Sequence, residues 1–217
     1  MSKKILIFSL GPIFRHHVHG GSQKILREVA NHLGSKGHKV KILCVMRDDN
    51  KDVFKLSENV EVHPILRFKQ YYPSAYFTSP YNLYNIIKII NEEIKKHDIF
   101  YIHDAQLNFP FLLEDIPTII SLRDYIYPET LIGAFNFDRD KIIINSNYVK
   151  DCVESTIGNI RIGINERIVV IPNGINLDLF NKTDKEKIRS IINLGDYENI
   201  ILYPHRPEES KGIYQSL

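Results

Sequence analysis

The chain carries only two cysteines, Cys44 and Cys152. Neither stands at the spacing of a metal or redox motif, which excludes a disulfide-stapled scaffold and a thiolate metal centre. Cys44 lies in an apolar strand-like run and Cys152 in a helix-like one, so both read as small buried hydrophobes of a reducing compartment. No stretch approaches the roughly 18 apolar residues that a membrane-spanning helix needs. The apolar run after Met1-Ser2-Lys3-Lys4 is too short for a signal peptide. These absences point to the cytosol, with any membrane contact peripheral. There is no internal repeat and no low-complexity tract. There is no G-x-G-x-x-G, so the dinucleotide fingerprint is missing. No concentrated basic stripe exists either, which argues against nucleic acid as a partner.

Charge is present but uneven. The net charge is +2, while residues 1–100 alone carry +7 and the remainder −5. Such a front half suits an anionic partner, such as a phospholipid surface or a phosphorylated acceptor, as well as ordinary solvated surface. With 43% hydrophobic and 25% charged residues, the chain can bury a normal core.

Lys4 to Ser9 is a continuous apolar run, as expected of a parallel strand covered on both faces. A loop from Leu10 to Gly21 follows. Ser22 can cap a helix whose apolar face is Ile25, Leu26, Val29, Ala30 and Leu33. Gly37 suits the position just past its end. Further strands are predicted at Lys39–Val45, Val60–Ile65, Asp98–His103, Pro117–Leu122, Lys141–Asn145 and Ile168–Ile171. Helices are predicted from Leu83 to Lys96 and from Ser146 to about Ile157. This alternation predicts a doubly wound α/β domain with a parallel, Rossmann-like sheet. Ligands in that architecture bind beyond the carboxyl ends of the strands. Domain 1 is expected at 1–178 and a linker with a short helix at 179–198. A strand and loop at 199–217 would open a second domain whose remainder is missing.

Several residues fall at those carboxyl ends. Gly20-Gly21-Ser22 opens the first helix, where free N–H groups and the helix dipole favour an anion. His16, His17 and His19 share the preceding loop without a carboxylate or cysteine at ligand spacing, so no metal is expected. His103-Asp104 ends one strand and Arg123-Asp124-Tyr125 the next. An arginine there can hold a phosphate, or it can pair structurally with Asp104 or Asp124. Tyr71, Tyr72, Tyr76, Phe77, Tyr81 and Tyr84 crowd one segment. They can stack on sugars or pack a loop onto the core. Arg206 and Lys211 flank Pro207-Glu208-Glu209-Ser210 just before Gly212. Two cations beside a helix start can clamp a diphosphate without a metal.

In this order the segments resemble the family 4 retaining glycosyltransferases. Gly20-Gly21-Ser22 through Gly37-His38-Lys39-Val40 is similar to the family's Gly-Gly helix and the "GH-V" strand after it. Asp98 to Asp104 resembles "D-hhHxHD", and Ile144 to Val149 resembles "hhxxSxxh". Val170-Ile171-Pro172-Asn173-Gly174-Ile175-Asn176 with Phe180 resembles "VIPNGVD--F", and Tyr203 to Gly212 resembles the strand and "R---KG" of the second domain. Arg123 stands where the family usually has an active-site histidine. The resemblance implies the GT-B fold, two facing Rossmann-like domains, with the acceptor on the first and the nucleotide sugar on the second. By it, Gly20, Gly21, Arg206 and Lys211 meet the donor diphosphate, and His103, Arg123 and Asp124 belong to the catalytic centre. His16, His17, Tyr72 and Tyr76 meet a glycan or lipid-linked acceptor. It implies sugar transfer with retention and no cofactor beyond the nucleotide-diphosphate sugar. The leaving phosphate takes the acceptor proton, which suits the lack of a carboxylate pair here. A non-catalytic partner subunit and a GT-B epimerase are the alternatives.

Overall fold

A computed structural model describes residues 1–18, 20–68, 78–104, 114–124, 128–178, 180, 185–191, 201–204, 209 and 212–216. The chain divides into two compact units, Met1–Asn173 and Gly174–Leu217.

The first unit is built on eight strands: β1 (Lys4–Ser9), β2 (Lys39–Val45), β3 (Phe54–Ser57), β4 (Val60–Leu66), β5 (Ile99–His103), β6 (Thr118–Leu122), β7 (Lys141–Ile144) and β8 (Ile168–Val170). They form one sheet in the order β3-β4-β2-β1-β5-β6-β7-β8. Every pairing is parallel except β3 with β4. The Rossmann-like, doubly wound expectation therefore holds.

Side-chain alternation sorts the core onto two faces. Ile5 and Ile7 of β1, with Ile42 and Tyr101, face helix α1 (Gly21–Ser35) through Leu26 and Ala30. Leu6 and Phe8, with Leu43, Phe100 and Ile102, face α2 (Pro80–Ile94) through Ile86, Ile90 and Ile94. The same face takes Ala134 of α3 (Pro128–Asn136) and Val149 and Val153 of α4 (Asn147–Val153). Both faces are covered, which explains why the central strands read as unbroken apolar runs. The chain winds from β1 toward β4 on one side, then returns through α2 to β5 on the other. The connections therefore diverge at the carboxyl ends of β1 and β5, the position where open α/β sheets bind ligands.

Several local expectations need correction. Strand β3 and helix α3 were not foreseen. Val29 is exposed, and buried Gln23 takes its place on the inner side of α1. The helix opened by Ser146 leaves the α-helical path after Val153 and continues as a π-turn over Glu154–Gly158. The hydroxyl of Thr156 donates to the Cys152 carbonyl at 2.6 Å, and that of Ser155 to the same oxygen at 3.1 Å. Such back-bonding competes with the helix ladder. Cys44 is fully buried as expected, but Cys152 is only half-buried.

Gly37 ends α1 with φ +86°, a left-handed conformation that favours glycine. The His38 N–H closes the cap on the Leu33 carbonyl at 3.2 Å.

At the amino ends of the strands, Lys4, Lys39, Lys41 and Lys55 gather around a shallow groove with Glu58, Glu61 and His97. Lys41 and Lys96 both pair with Glu93, at 2.8 and 2.9 Å, and the Glu93 carboxyl lies at about 2. Burial acts against that lowering, and the two lysines outweigh it.

In the second unit, α5 (Lys185–Ile191) falls where a short helix was expected, and α6 (Ile213–Ser216) follows Gly212. The described part of the predicted 199–203 strand, Ile201–Tyr203, is not a strand, and Ile201 and Leu202 are exposed. A strand gains stability only from a partner strand and a covered face.

Candidate active site

The site grows from the end of β1. Ser9 turns the chain by donating its buried hydroxyl to the Gly11 carbonyl at 3.0 Å. Gly11 lies so close to Gln23 that a Cβ there would land inside the Gln23 amide group. Close approach, rather than an unusual dihedral, is what requires glycine at this position. Helix α1 then begins with Gly20 as its extended N-cap and no side-chain cap. A Cβ on Gly21 would meet open space, so the start of the helix is accessible. A helix start of this kind favours an anion through its first-turn N–H groups and dipole.

Ser22 is not the cap expected from its place in the sequence. It sits inside the first turn, and its side chain crosses to β5. There the Oγ lies 2.8 Å from His103 Nε2 and donates to Asp104 Oδ2 at 2.5 Å. The Ser22 carbonyl lies 3.0 Å from the same Nε2. A carbonyl can only accept, so Nε2 carries the imidazole hydrogen. Nδ1 is then an acceptor, and the Tyr101 hydroxyl donates to it at 3.0 Å. Asp104 adopts φ +57° directly after the strand.

Arg123, at the end of β6, completes the cluster. Its Nη2 donates to the Tyr101 hydroxyl at 3.2 Å and its Nη1 to Asn173 Oδ1 at 2.8 Å. Asn145, just past β7, donates to the Arg123 carbonyl at 2.7 Å and ties the two strand ends together. Among the described residues Arg123 makes no ion pair with Asp104. Gly20, His103 and Arg123 thus share one edge of the sheet, as their positions after successive strands implied.

His103 is fully buried. Burial pushes its imidazole down to about 4, and the Arg123 charge adds to this against the opposing pull of Asp104. The unfolded chain, with an ordinary histidine, therefore binds the extra proton between about pH 6.5 and 4. Stability is full above that window and falls as the pH drops through it, by roughly 3 kcal/mol. Urea unfolding at pH 7.5 and 4.5 should show this loss. His97 is also lowered by burial and acts in the same direction. A His103→Asn variant isolates the His103 share, and an unchanged slope in that variant contradicts a buried neutral imidazole.

The loop before α1 carries the other sequence candidates. Arg27 Nη1 fastens it by donating to the carbonyls of Phe14 and His17 at 2.7 and 3.0 Å. His17 stacks on Phe14 with ring centroids 4.1 Å apart. His16 and His17 are exposed and line a cavity of about 320 Å³ with Arg15, Asp49, Lys51 and Asp52. Among the described residues, its lining shares none with the His103 cluster. Tyr72, Tyr76, Tyr125, His19, Arg206 and Lys211 lie outside the described residues.

Ser22, Tyr101 and Asn173 were missed as members of the cluster. Tyr101 was legible in principle, because it precedes His103 by two residues on a strand and so shares its face. Ser22 and Asn173 bond across 81 and 50 residues, which no local pattern reveals.

Solved structures share this fold. Sucrose-phosphate synthase from Thermosynechococcus elongatus matches with a TM-score of 0.58 at 12% identity, covering 88% of this chain and 98% of that one. A glycosyltransferase from Rickettsia africae matches at 0.59 and 21% identity, covering 89% and 49%. HepE from Anabaena, solved with UDP and glucose, matches at 0.57 and 19% identity, covering 88% and 50%. The chain spans about half the length of the last two. No curated protein matches the sequence. The sequence profile of Glycosyltransferase Family 4, however, matches residues 19–179. That stretch holds Ser22, Tyr101, His103, Asp104, Arg123 and Asn173, the whole hydrogen-bonded cluster. With well over half its length matched and its cluster inside the match, the chain belongs to Glycosyltransferase Family 4.

Proposed function

We propose that this chain is the acceptor-side part of a retaining GT-B glycosyltransferase that takes its sugar from a nucleotide diphosphate. The observation that carries the reading is the meeting of the uncapped α1 N-terminus with His103 and Arg123 where the sheet connections diverge. The helix start offers N–H groups to a phosphate or to the transferred sugar, and Arg123 supplies a fixed positive charge. His103, neutral and with both ring nitrogens engaged, is a poor proton shuttle. That suits a mechanism in which the departing phosphate takes the acceptor proton. Arg206 and Lys211 complete the diphosphate clamp in this reading, and no metal or further cofactor is used. HepE, a structural neighbour, was solved with UDP and glucose, so a uridine donor is the first to test.

The acceptor is a glycan or lipid-linked sugar. The cavity beside His16 and His17 suits its hydroxyls, with Arg15 and Lys51 set against Asp49 and Asp52 and one face of the His17 ring outward. Tyr72 and Tyr76 serve the same acceptor.

The donor reading is tested by titrating UDP and UDP-glucose into the isotope-labelled chain. Amide shifts should concentrate at Gly20 to Ser22 and near Arg123. Shifts confined to other parts of the sheet would remove the assignment. Turnover should be absent in the chain alone, because closure and orientation need both sides of the cleft.

The reading also includes a cytoplasmic location with weak contact to anionic membrane. The lysine groove at the amino ends of the strands suits lipid headgroups, and each surface lysine contributes about 1 kcal/mol there at physiological salt. Co-sedimentation with phosphatidylserine vesicles should decline as salt rises. Equal, negligible binding to neutral and anionic vesicles refutes the contact.

A further inference from the structure

We infer that Tyr101 is a positioning residue, which locks His103 and Arg123 into one unit at the edge read above as substrate-facing. The inference rests on that reading for its purpose but not for its geometry. The bonds run in one direction. Arg123 Nη2 donates to the Tyr101 oxygen, and the Tyr101 hydroxyl donates to His103 Nδ1. His103 Nε2 then donates to the Ser22 carbonyl, and the Ser22 hydroxyl donates to Asp104. Tyr101, His103 and Ser22 each donate to one neighbour and accept from the other, so no hydroxyl or ring nitrogen in the series can reverse without breaking a bond.

Tyr101 is the one member that touches both His103 and the cation. Its hydroxyl satisfies Nδ1, and it holds one arm of the guanidinium fork while Asn173 holds the other. A planar guanidinium fixed at both terminal nitrogens cannot spin about its Cζ–Nε bond, so its charge stays aimed. The consequence divides the labour at the site. His103 serves as a neutral spacer that carries the alignment of α1 through Ser22, and Arg123 is the group that meets an anionic or electron-rich part of the substrate.

Nitrogen NMR on the histidine- and arginine-labelled chain tests this without substrate, so failure of a transfer assay leaves it standing and its own failure leaves the transfer reading standing. At pH 7 His103 should show the Nε2–H tautomer with Nδ1 in the hydrogen-bonded range, and Arg123 should show two resolved, slowly exchanging Nη signals. Tyr101→Phe keeps the buried ring and removes the hydroxyl. It should move Nδ1 to the value of an acceptor without a donor and merge the Arg123 Nη signals. A purely structural tyrosine would shift neither. Asn173→Ala, at an exposed position, should leave the His103 signals unchanged. Should Tyr101→Phe fail to fold, the wild-type tautomer and the Asn173→Ala spectra still decide. An Nδ1–H tautomer in the wild-type chain overturns the inference. So do unchanged spectra in Tyr101→Phe, or a His103 that moves when Asn173 is removed.

Discussion

If the proposed transferase reading holds, an Arg123→Met variant of the proposed two-domain protein is expected to transfer sugar about 100- to 1,000-fold more slowly, the usual loss for one preorganised donor to a developing anion. Arg123 holds its place through three separate ties: Tyr101, Asn173 and, at its carbonyl, Asn145. Preorganisation of that kind spares the reorganisation that a solvated cation would undergo at the moment of reaction. Methionine preserves much of the aliphatic volume, and the Tyr101 hydroxyl keeps its acceptor in His103. The variant should therefore unfold near the wild-type denaturant midpoint while its rate falls. Arg123→Lys should recover only part of the rate, because a single ammonium cannot reach Tyr101 and Asn173 in the same fork geometry. Initial rates against a panel of nucleotide sugars measure the effect. Wild-type rates in Arg123→Met would move the functional cation to another residue.

Phe100→Ala should destabilise the first unit by about 3–5 kcal/mol. Phe100 is wholly buried on β5, the strand hydrogen-bonded between β1 and β6. It packs on the face covered by Ile86, Ile90 and Ile94. Its ring lies at the middle of the sheet, where the flanking strands and α2 cannot collapse inward to fill the space. For a unit of this size the loss lowers Tm by about 2–4 °C per kcal/mol, and it removes a large share of a typical 5–15 kcal/mol total. Urea titration and a thermal scan measure it. Val169→Ala, on a partly exposed position of β8, provides a small-effect reference. A loss at Phe100 below about 1 kcal/mol would mean that the centre of the sheet can repack.

The parallel strands were legible because burial on both faces writes an apolar run into the sequence. The edges were not. Strand β3 is four residues long, only Phe54 within it is buried, and it pairs antiparallel. So short an alternation has no period to detect. Helix α3 carries Gly133 within Pro128–Asn136, and glycine depresses helix propensity by about 1 kcal/mol. Its inward residues Thr130 and Ala134, with Phe137 just past its end, fall at helical spacing, but tertiary packing rather than propensity holds them. Positions in the candidate site followed from topology, since each strand end could be located. Bonding partners did not. Ser22 satisfies every local rule for a cap, yet Gly20 takes the cap and the hydroxyl goes to a residue 81 positions away. Gly11 and Gln23 make the same point in reverse. One glycine in a loop says little until the side chain that fills its missing Cβ is known.

The burial of Cys44 turns the chain into its own clock. The thiol lies at the end of β2, fully enclosed, and burial pushes it up to about 12. Thiolate is the reactive form, so an alkylating reagent cannot attack Cys44 while the strands stay together. Cys152, half-buried on α4, is accessible in the intact fold. One labelling experiment thus yields two rates from one molecule. The fast modification reports the partly exposed Cys152, and the slow one counts how often the β2 side of the sheet comes apart.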